Sequence, residues 1–260
     1  MIICPICQNK LTLTEKQGIC DQGHLFDRSR QGYINLSLKQ SKGHGDNQLL
    51  SHARDIFLNG GFYEFLSQKI IEILKQYPHQ FLLDLGCGQG YYLKQFVSAL
   101  KPTQSVGIDL SKDSLKIASR NDKQSTYIVA TSAFLPIQNE SVDVVLNMFS
   151  PKVEKEVYRV LKPKGIWIGV DVAKNHLLQL KEMLYEQVVL NDETPESFND
   201  FTLLHQEIIQ QEKIVKQPYL SALLDMTPYR FTSPLDKIQQ VYQQTQTPMC
   251  FSFNIKVYQK

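Results

Sequence analysis

The stretch Phe81-Leu82-Leu83-Asp84-Leu85-Gly86-Cys87-Gly88-Gln89-Gly90 decides the fold of this 260-residue chain. Its first half is a short apolar run, which predicts a buried strand, and glycines then follow at every second position. The next residues, 91–100, have the character of a helix. A strand, a glycine loop and a helix in this order bring the backbone close to a bound nucleotide cofactor. The stretch therefore predicts a cofactor site where the strand ends.

The acid at the strand end distinguishes between the two cofactors that such a loop binds. A dinucleotide loop reads G-x-G-x-x-G, and this chain has Tyr91 where the third glycine belongs. Asp84 would repel a pyrophosphate, but it suits a cofactor with a sulfonium and an ammonium group. A second strand signal ends in Asp109, whose carboxylate can accept hydrogen bonds from both ribose hydroxyls. Asp84, the loop residues Gly86, Gly88, Gln89 and Gly90, and Asp109 therefore predict a site for S-adenosylmethionine (SAM).

Strand and helix signals alternate on both sides of this loop. Ser111 caps a predicted helix that runs to about residue 120. Further strands are predicted at residues 127–130, 141–146 and 166–170, and further helices at 62–76 and 153–161. Alternating strands and helices indicate an α/β fold. We expect a Rossmann-like class I methyltransferase domain with a mostly parallel seven-stranded sheet.

The C-terminal third carries weaker signals. Residues 162–165 predict a turn, 176–189 an amphipathic helix, 208–215 a strand and 219–226 a short helix. Residues 251–258 alternate strictly between apolar and polar side chains, a pattern typical of an outer antiparallel strand.

Three of the five cysteines lie within the first 20 residues. Cys4, Cys7, Cys20 and His24 form the pattern C-x2-C-x12-C-x3-H, and two short strands are predicted between its halves. Zinc takes four such ligands in a tetrahedron, and a module this small has too little core to fold without a metal. A full set of four ligands leaves no open position, which indicates a structural zinc. Free buried cysteines remain the alternative, and His44 or His52 could replace His24.

The chain divides into three parts. Residues 1–35 are the predicted zinc-binding domain, residues 36–50 a polar flexible linker, and residues 51–260 the methyltransferase domain. The first 45 residues hold six basic and three acidic side chains, a charge of +3, against 22 and 23 in the remainder. A basic head on a near-neutral body indicates a polyanionic partner.

The composition is that of a globular protein. Hydrophobic residues make up 42%, and the formal net charge is 28 − 26 = +2, which excludes a mainly disordered chain. No run approaches the roughly 18 apolar residues of a membrane span, and the N-terminus lacks a secretory signal pattern. The odd cysteine count argues against a disulfide scaffold. We therefore expect a cytoplasmic protein with no membrane partner.

The zinc motif followed by the SAM motif resembles the bacterial 23S ribosomal RNA guanine-N1 methyltransferases. The segments that carry this resemblance span nearly the whole chain: the four zinc ligands, Phe26-Asp27, Gly32-Tyr33-Ile34-Asn35-Leu36, Phe57-Leu58, Gly61-Phe62-Tyr63, residues 84–92, and Leu224 with Met226-Thr227-Pro228. One departure is Gln89, because relatives often have an acid at that position.

The resemblance implies a zinc-binding N-terminal domain and a SAM-dependent catalytic domain that methylates a hairpin guanine in domain II of 23S rRNA. It places Tyr63, Gln89, Gly90 and His176 against SAM, and it places Cys4, Cys7, Cys20 and His24 on zinc. The implied partner is 23S rRNA, which the zinc-binding domain of residues 1–35 would recognise. Whether two copies of the chain form a homodimer is left open. Members divide between two guanine positions, and the sequence does not choose between them.

No residue is assigned as general base. Three candidates for contact with the acceptor are Asn147 at the guanine edge, Phe149 stacked on the base, and His176 as proton acceptor or pocket wall. Arg28, Arg30, Lys39 and Lys42 are the candidates for phosphate contacts. A SAM methyltransferase acting on a small molecule or another RNA, and a non-catalytic RNA-binding adaptor, remain as alternatives.

Overall fold

The structure of the protein is a computed structural model that describes residues 1–38, 47–192 and 197–260. Near the N-terminus, three strands form a small antiparallel sheet, β1 (Leu11–Leu13), β2 (Gln17–Cys20) and β3 (Leu25–Asp27). We call residues 1–27 the ribbon. The two strands predicted between the zinc ligands are confirmed as β1 and β2.

Within the described ranges, the large sheet has eight strands. They are β4 (Ile34–Asn35), β5 (Phe81–Leu85), β6 (Gln104–Asp109), β7 (Thr126–Val129), β8 (Val142–Met148), β9 (Leu161–Val172), β10 (Thr202–Lys216) and β11 (Gln246–Gln259). Their order is β10-β11-β9-β8-β5-β6-β7-β4. Strands β4 to β9 run parallel to one another, β11 pairs antiparallel with β9, and β10 pairs antiparallel with β11. Seven strands lie in the predicted methyltransferase domain, as expected, and β4 adds an eighth at the edge.

Helices cover both faces of the large sheet. In the described residues they are α1 (Gln48–Asn59), α2 (Glu64–Leu74), α3 (Tyr91–Leu100), α4 (Lys112–Asn121), α5 (Glu154–Val160), α6 (Leu178–Leu184), α7 (Tyr219–Asp225), α8 (Tyr229–Thr232) and α9 (Leu235–Gln243). Ser111 caps α4 as predicted, since its side chain accepts a hydrogen bond from the Ser114 backbone N–H. Among these helices, none combines the length and the apolarity that a membrane crossing requires.

The strand order places a cleft at the end of β5. This strand is buried along its whole length and pairs with β6 on one side and β8 on the other. The chain therefore leaves β5 where the sheet changes winding direction, which is where ligands bind in open α/β sheets.

The ribbon shares a hydrophobic core with the large sheet. Ile2, Cys4 and Leu11 belong to the same buried cluster as Leu83 of β5 and Val106 of β6. The ribbon is therefore packed on the methyltransferase domain along this core.

Both ends of the predicted linker, residues 36–50, belong to regular secondary structure or continue it. At its start, the Leu36 N–H donates to the carbonyl of Val129 at 3.0 Å, which continues the pairing of β4 with β7. At its far end, residues 48–50 form the first turn of α1 behind the cap Asn47. Residues 39–46 of the predicted linker lie outside the described residues.

Three C-terminal predictions need correction. The helix predicted at 176–189 is only α6, which ends at Leu184, and residues 162–165 belong to β9 rather than to a turn outside it. The strand predicted as outer, β11, lies between β9 and β10, so that β10 is the edge strand. The polar side chains of β11, Ser252, Asn254 and Lys256, are buried as well. The alternation along β11 therefore separates two buried faces.

Candidate functional site

Two adjoining cavities, each of about 330 Å³, lie at the carboxyl ends of the central strands. Arg54, Gly86 and Phe149 line both of them. The Asp84 cavity is further lined by Tyr63, Asp84, residues 87–89, Tyr92, His176 and Asn191 among others. The Asp109 cavity is further lined by Ile108, Asp109, Leu110, Ala130, Ser132, Ser150 and Pro151.

The glycine loop between β5 and α3 forms the floor of the Asp84 cavity. Gly88 has φ +53°, and a Cβ built on it would point into open space, with Arg54 Nη1 nearest at 4.0 Å. Gly90 has φ +76°, and a Cβ there would lie 2.5 Å from the Tyr127 hydroxyl. Gly88 thus leaves room for a ligand to approach the backbone, whereas packing requires the glycine at position 90.

Asp84 is buried at the end of β5 with no hydrogen-bond partner for either oxygen among the described residues. Burial, and secondly the charge of Asp109, raise the pKa of Asp84 to about 8. Gln89 Nε2 and the Tyr92 hydroxyl are also buried, and neither has a hydrogen-bond partner among the described residues. Leaving such groups unpaired costs roughly 1–3 kcal/mol each, so together they indicate a polar ligand. An amino-acid group fits, because its ammonium matches Asp84 and its carboxylate matches the two donors.

Asp109 closes the loop from the side of β6. Its Oδ2 accepts the Gly88 N–H at 2.9 Å and its Oδ1 accepts the Ser111 N–H at 2.7 Å. Each carboxylate oxygen keeps a further lone pair, so both ribose hydroxyls can still be bound. The Asp109 cavity continues past Ala130 and Ser132, so it has room for a group attached to the ribose.

Tyr63 and His176 form one wall of the Asp84 cavity. The Tyr63 hydroxyl lies 3.2 Å from His176 Nε2, and His176 Nδ1 accepts the Ser252 N–H at 3.2 Å. Burial lowers the pKa of His176 to about 3, so the ring is neutral and its Nε2–H donates to Tyr63. Of its two predicted roles, pocket wall fits this geometry and proton acceptor does not.

The other two acceptor candidates have different surroundings. Asn147 is fully buried, and its Nδ2 donates to Ser150 Oγ at 2.9 Å and to the Pro151 carbonyl at 3.1 Å. Its Oδ1 accepts the Trp167 Nε1–H at 2.8 Å, so Asn147 holds the loop after β8 and does not face a guanine. Phe149 is 40% exposed with φ +57°, and its ring borders both cavities.

The four predicted zinc ligands converge in the ribbon. One ligand atom of each of Cys4, Cys7, Cys20 and His24 lies within 4.8 Å of all the others. The Cys7 and Cys20 sulfurs are 3.6 Å apart, and His24 Nδ1 lies 3.3 Å from Cys20 Sγ and 3.7 Å from Cys4 Sγ. Zinc at about 2.0–2.3 Å from each ligand requires tetrahedral edges of about 3.5–3.8 Å, so the donor set fits. His52 is not in this cluster, and His44 lies outside the described residues.

The four basic residues predicted to contact phosphates differ in their surroundings. Arg28 Nε donates to the Gly32 carbonyl at 3.0 Å and Arg28 Nη1 to the Thr14 carbonyl at 3.1 Å, so this side chain braces the ribbon. Arg30 is exposed, and Lys39 and Lys42 lie outside the described residues.

Lining residues without a role predicted from the sequence include Arg54, Tyr92 and Asn191. Arg54 projects from α1, Tyr92 from α3, and Asn191 donates its Nδ2 to the Ala173 carbonyl at 2.9 Å. Among these three, only Tyr92 had a local signal, since it lies two residues after Gly90 in the first turn of α3. Arg54 and Asn191 reach the site through the packing of distant segments.

Comparisons with known proteins match both parts of the chain. The family model described as a methyltransferase domain matches residues 83–169, and the one described as RlmA, N-terminal, matches residues 2–43. YxjB of Bacillus subtilis (strain 168), named as a 23S rRNA (guanine-N(1)-)-methyltransferase, is 32% identical over 252 residues, covering 92% of this chain and 89% of YxjB. The chain belongs to the 23S rRNA (guanine-N1)-methyltransferase family.

Membership in the 23S rRNA (guanine-N1)-methyltransferase family confirms the predicted enzyme class, with SAM and zinc as cofactors. The 23S rRNA (guanine(748)-N(1))-methyltransferase of Streptomyces fradiae is 27% identical, covering 70% of this chain and 66% of its own. A chain of the complex between the Haloferax volcanii Trm112 methyltransferase activator and its methyltransferase aligns with a TM-score of 0.51 at 17% identity, covering 83% of this chain and 98% of that one. This last likeness supports the fold alone.

Proposed function

We propose that this protein transfers the methyl group of SAM to N1 of a hairpin guanine in domain II of 23S rRNA. One observation carries the proposal: the exposed ring of Phe149 borders the cavity that holds the orphaned Asp84, in a chain that matches YxjB almost end to end. When bound, SAM supplies an electrophilic methyl group on its sulfonium.

The chain's own residues orient the two reactants. Asp84 would hold the ammonium group of SAM, and Asp109 would accept hydrogen bonds from its ribose hydroxyls. Phe149, whose ring borders both cavities, would stack on the guanine and orient its N1 for methyl transfer. A paired guanine cannot reach this cavity, so the base comes from a loop or is extruded.

The proton on guanine N1 leaves as the N1–methyl bond forms and the sulfur–methyl bond breaks. His176 does not take it, because its Nδ1 already accepts a backbone N–H and its pKa is about 3. Asp84 is opposite the ammonium group and does not take it either. We propose that the proton passes to water at the mouth of the cavity.

We further propose that the ribbon, together with β4, recognises the RNA hairpin, with exposed Arg30 as one phosphate contact. The division into residues 1–35, 36–50 and 51–260 stays part of this proposal. An rRNA substrate and zinc-binding thiols both suit the cytoplasm. A homodimer stays a prediction, which sedimentation velocity on the purified chain tests.

The experiment uses protein-free 23S rRNA from a strain lacking the enzyme, a domain II transcript and a panel of small-molecule acceptors, each with radiolabelled SAM. N1-methylguanine blocks Watson–Crick pairing, so primer extension stops one nucleotide before the modified base and maps it. We expect label in both RNAs, a single stop in the hairpin and no label in the small molecules. Asp109→Ala is the inactive control. Label confined to a small molecule, or a stop outside domain II, contradicts the proposal.

A further inference from the structure

One positive charge borders both cavities. Among the described residues that line them, Arg54 is the single arginine or lysine, and His176 is neutral. We propose that Arg54 binds the carboxylate of the cofactor's amino-acid group and thereby makes the enzyme selective for carboxylate-bearing cofactors. This inference rests on the proposed function and names the determinant of cofactor choice within the same site.

The position of the guanidinium supports this role. Arg54 Nη1 lies 4.0 Å from the place of a Cβ on Gly88, so it lies over the one loop glycine that is open to a ligand. Burial raises the pKa values of Tyr63 and Tyr92, and the charge of Arg54 opposes the rise at both, so this charge acts across the Asp84 cavity. The guanidinium therefore faces the space between the loop and the aromatic wall.

Helix α1 holds Arg54 in a defined place. One turn before it, Ser51 Oγ forms a buried 2.8 Å hydrogen bond with Ser114 Oγ of α4. One turn after it, Phe57 and Leu58 are buried, and the Phe57 ring stacks on Phe62 at 4.8 Å. These contacts hold the backbone of α1 in place on both sides of Arg54, so ligand binding does not have to order the helix.

Charge complementarity selects the ligand group. The amino-acid end of the cofactor carries one ammonium and one carboxylate, and Asp84 has acceptor oxygens for the first. Beside the acidic side chains of Asp84 and Asp109, the carboxylate needs a cationic partner in addition to the neutral donors Gln89 Nε2 and the Tyr92 hydroxyl. A guanidinium offers a planar pair of N–H donors that match a carboxylate, and such charge-assisted pairs are about twice as strong as neutral hydrogen bonds.

The test compares two ligands by calorimetry: S-adenosylhomocysteine (SAH) and its decarboxylated form, in which an aminopropyl group replaces the amino-acid group. Wild type should prefer SAH by about 10- to 100-fold. Arg54→Met should weaken SAH by the same factor and leave the decarboxylated ligand within about twofold, and Arg54→Lys should fall between. Arg120→Met, an exposed arginine on α4 outside both cavities, is the matched control and should change neither ligand.

Each outcome has a distinct meaning. An Arg54→Met protein that keeps its SAH affinity, or loses affinity for both ligands equally, overturns the inference while leaving the methyltransferase intact. Unchanged SAH affinity together with a raised KM for RNA would place Arg54 on the nucleic acid instead. Wild-type protein that binds neither ligand refutes the proposed function itself. Thermal unfolding of each variant checks that it folds, and Arg54→Lys keeps the test decisive if Arg54→Met does not fold.

Discussion

Replacing Asp84 with asparagine should stabilise the ligand-free protein while weakening SAM binding. The carboxylate is buried and unpaired among the described residues, and its pKa rises from 3.8 to about 8. Each pH unit between the unfolded and folded pKa values costs the folded protein up to about 1.36 kcal/mol. The asparagine side chain of the variant carries no charge, so the variant avoids this cost at every pH.

The sign follows from proton binding. The folded state keeps the Asp84 proton between about pH 4 and pH 8, where the unfolded state has lost it. Wild-type stability therefore falls relative to Asp84→Asn as pH rises through that window. From pH 5 to pH 8 the advantage of the variant should grow by about 2–4 kcal/mol, the upper value being three units at ~1.36 kcal/mol each.

Chemical denaturation of the ligand-free proteins from pH 5 to pH 8.5 measures this difference. Asp122→Asn is the matched control, because Asp122 is also buried but accepts from the Tyr127 hydroxyl at 3.0 Å and the Gln124 N–H at 2.8 Å. That variant loses an acceptor and should be less stable than wild type throughout.

The same Asp84→Asn protein should bind SAH about 10- to 100-fold more weakly at pH 8, since a charge-assisted pair is lost. A variant advantage that does not grow with pH, or an unchanged SAH affinity, would refute the reasoning. The first result would mean that Asp84 has another partner in the ligand-free protein, and the second that Asp84 does not bind the ammonium group.

Three further outcomes follow from the site and the ribbon. Purified protein should hold about one zinc per chain, and Cys7→Ser should release it. Because the ribbon and β4 share one core, the loss of zinc should also speed hydrogen exchange at β4, and undiminished protection there would contradict this. Gly90→Ala should lower the free energy of unfolding by about 2 kcal/mol or more, whereas Gly88→Ala should mainly weaken SAH binding, as thermal unfolding and calorimetry will measure. Phe149→Leu should lower kcat/KM for RNA about tenfold with SAH affinity within threefold, and an equal loss in both would make Phe149 a cofactor contact.

Local sequence sufficed for the parts of the protein whose interactions lie close together along the chain. The β5 strand, the glycine loop and the cap Ser111 each depend on a few neighbouring residues, and the structure has them as predicted. The zinc ligands also stand in two short clusters, so their spacing alone indicated the donor set that converges in the ribbon.

Roles that depend on surroundings could not be predicted in this way. Asn147 occupies the expected place after β8, but Trp167 from the next strand uses its carbonyl oxygen and turns it inward. His176 lines the Asp84 cavity, but the Ser252 backbone N–H, 76 residues away, occupies the nitrogen that a proton acceptor would need. No local pattern records which partner meets a side chain across the core.

The sequence by itself determined the α/β class, the strand and glycine loop that carry Asp84, and the cluster of four zinc-type donors, because strand period, glycine spacing and ligand spacing are short-range properties. Only the tertiary structure decided that β11 is internal, that β4 adds an edge strand to the large sheet, and that Arg54 lies over Gly88. It also decided that Asp84 is orphaned and His176 neutral. Burial and pairing set these properties, and both arise only when segments far apart in the chain pack together.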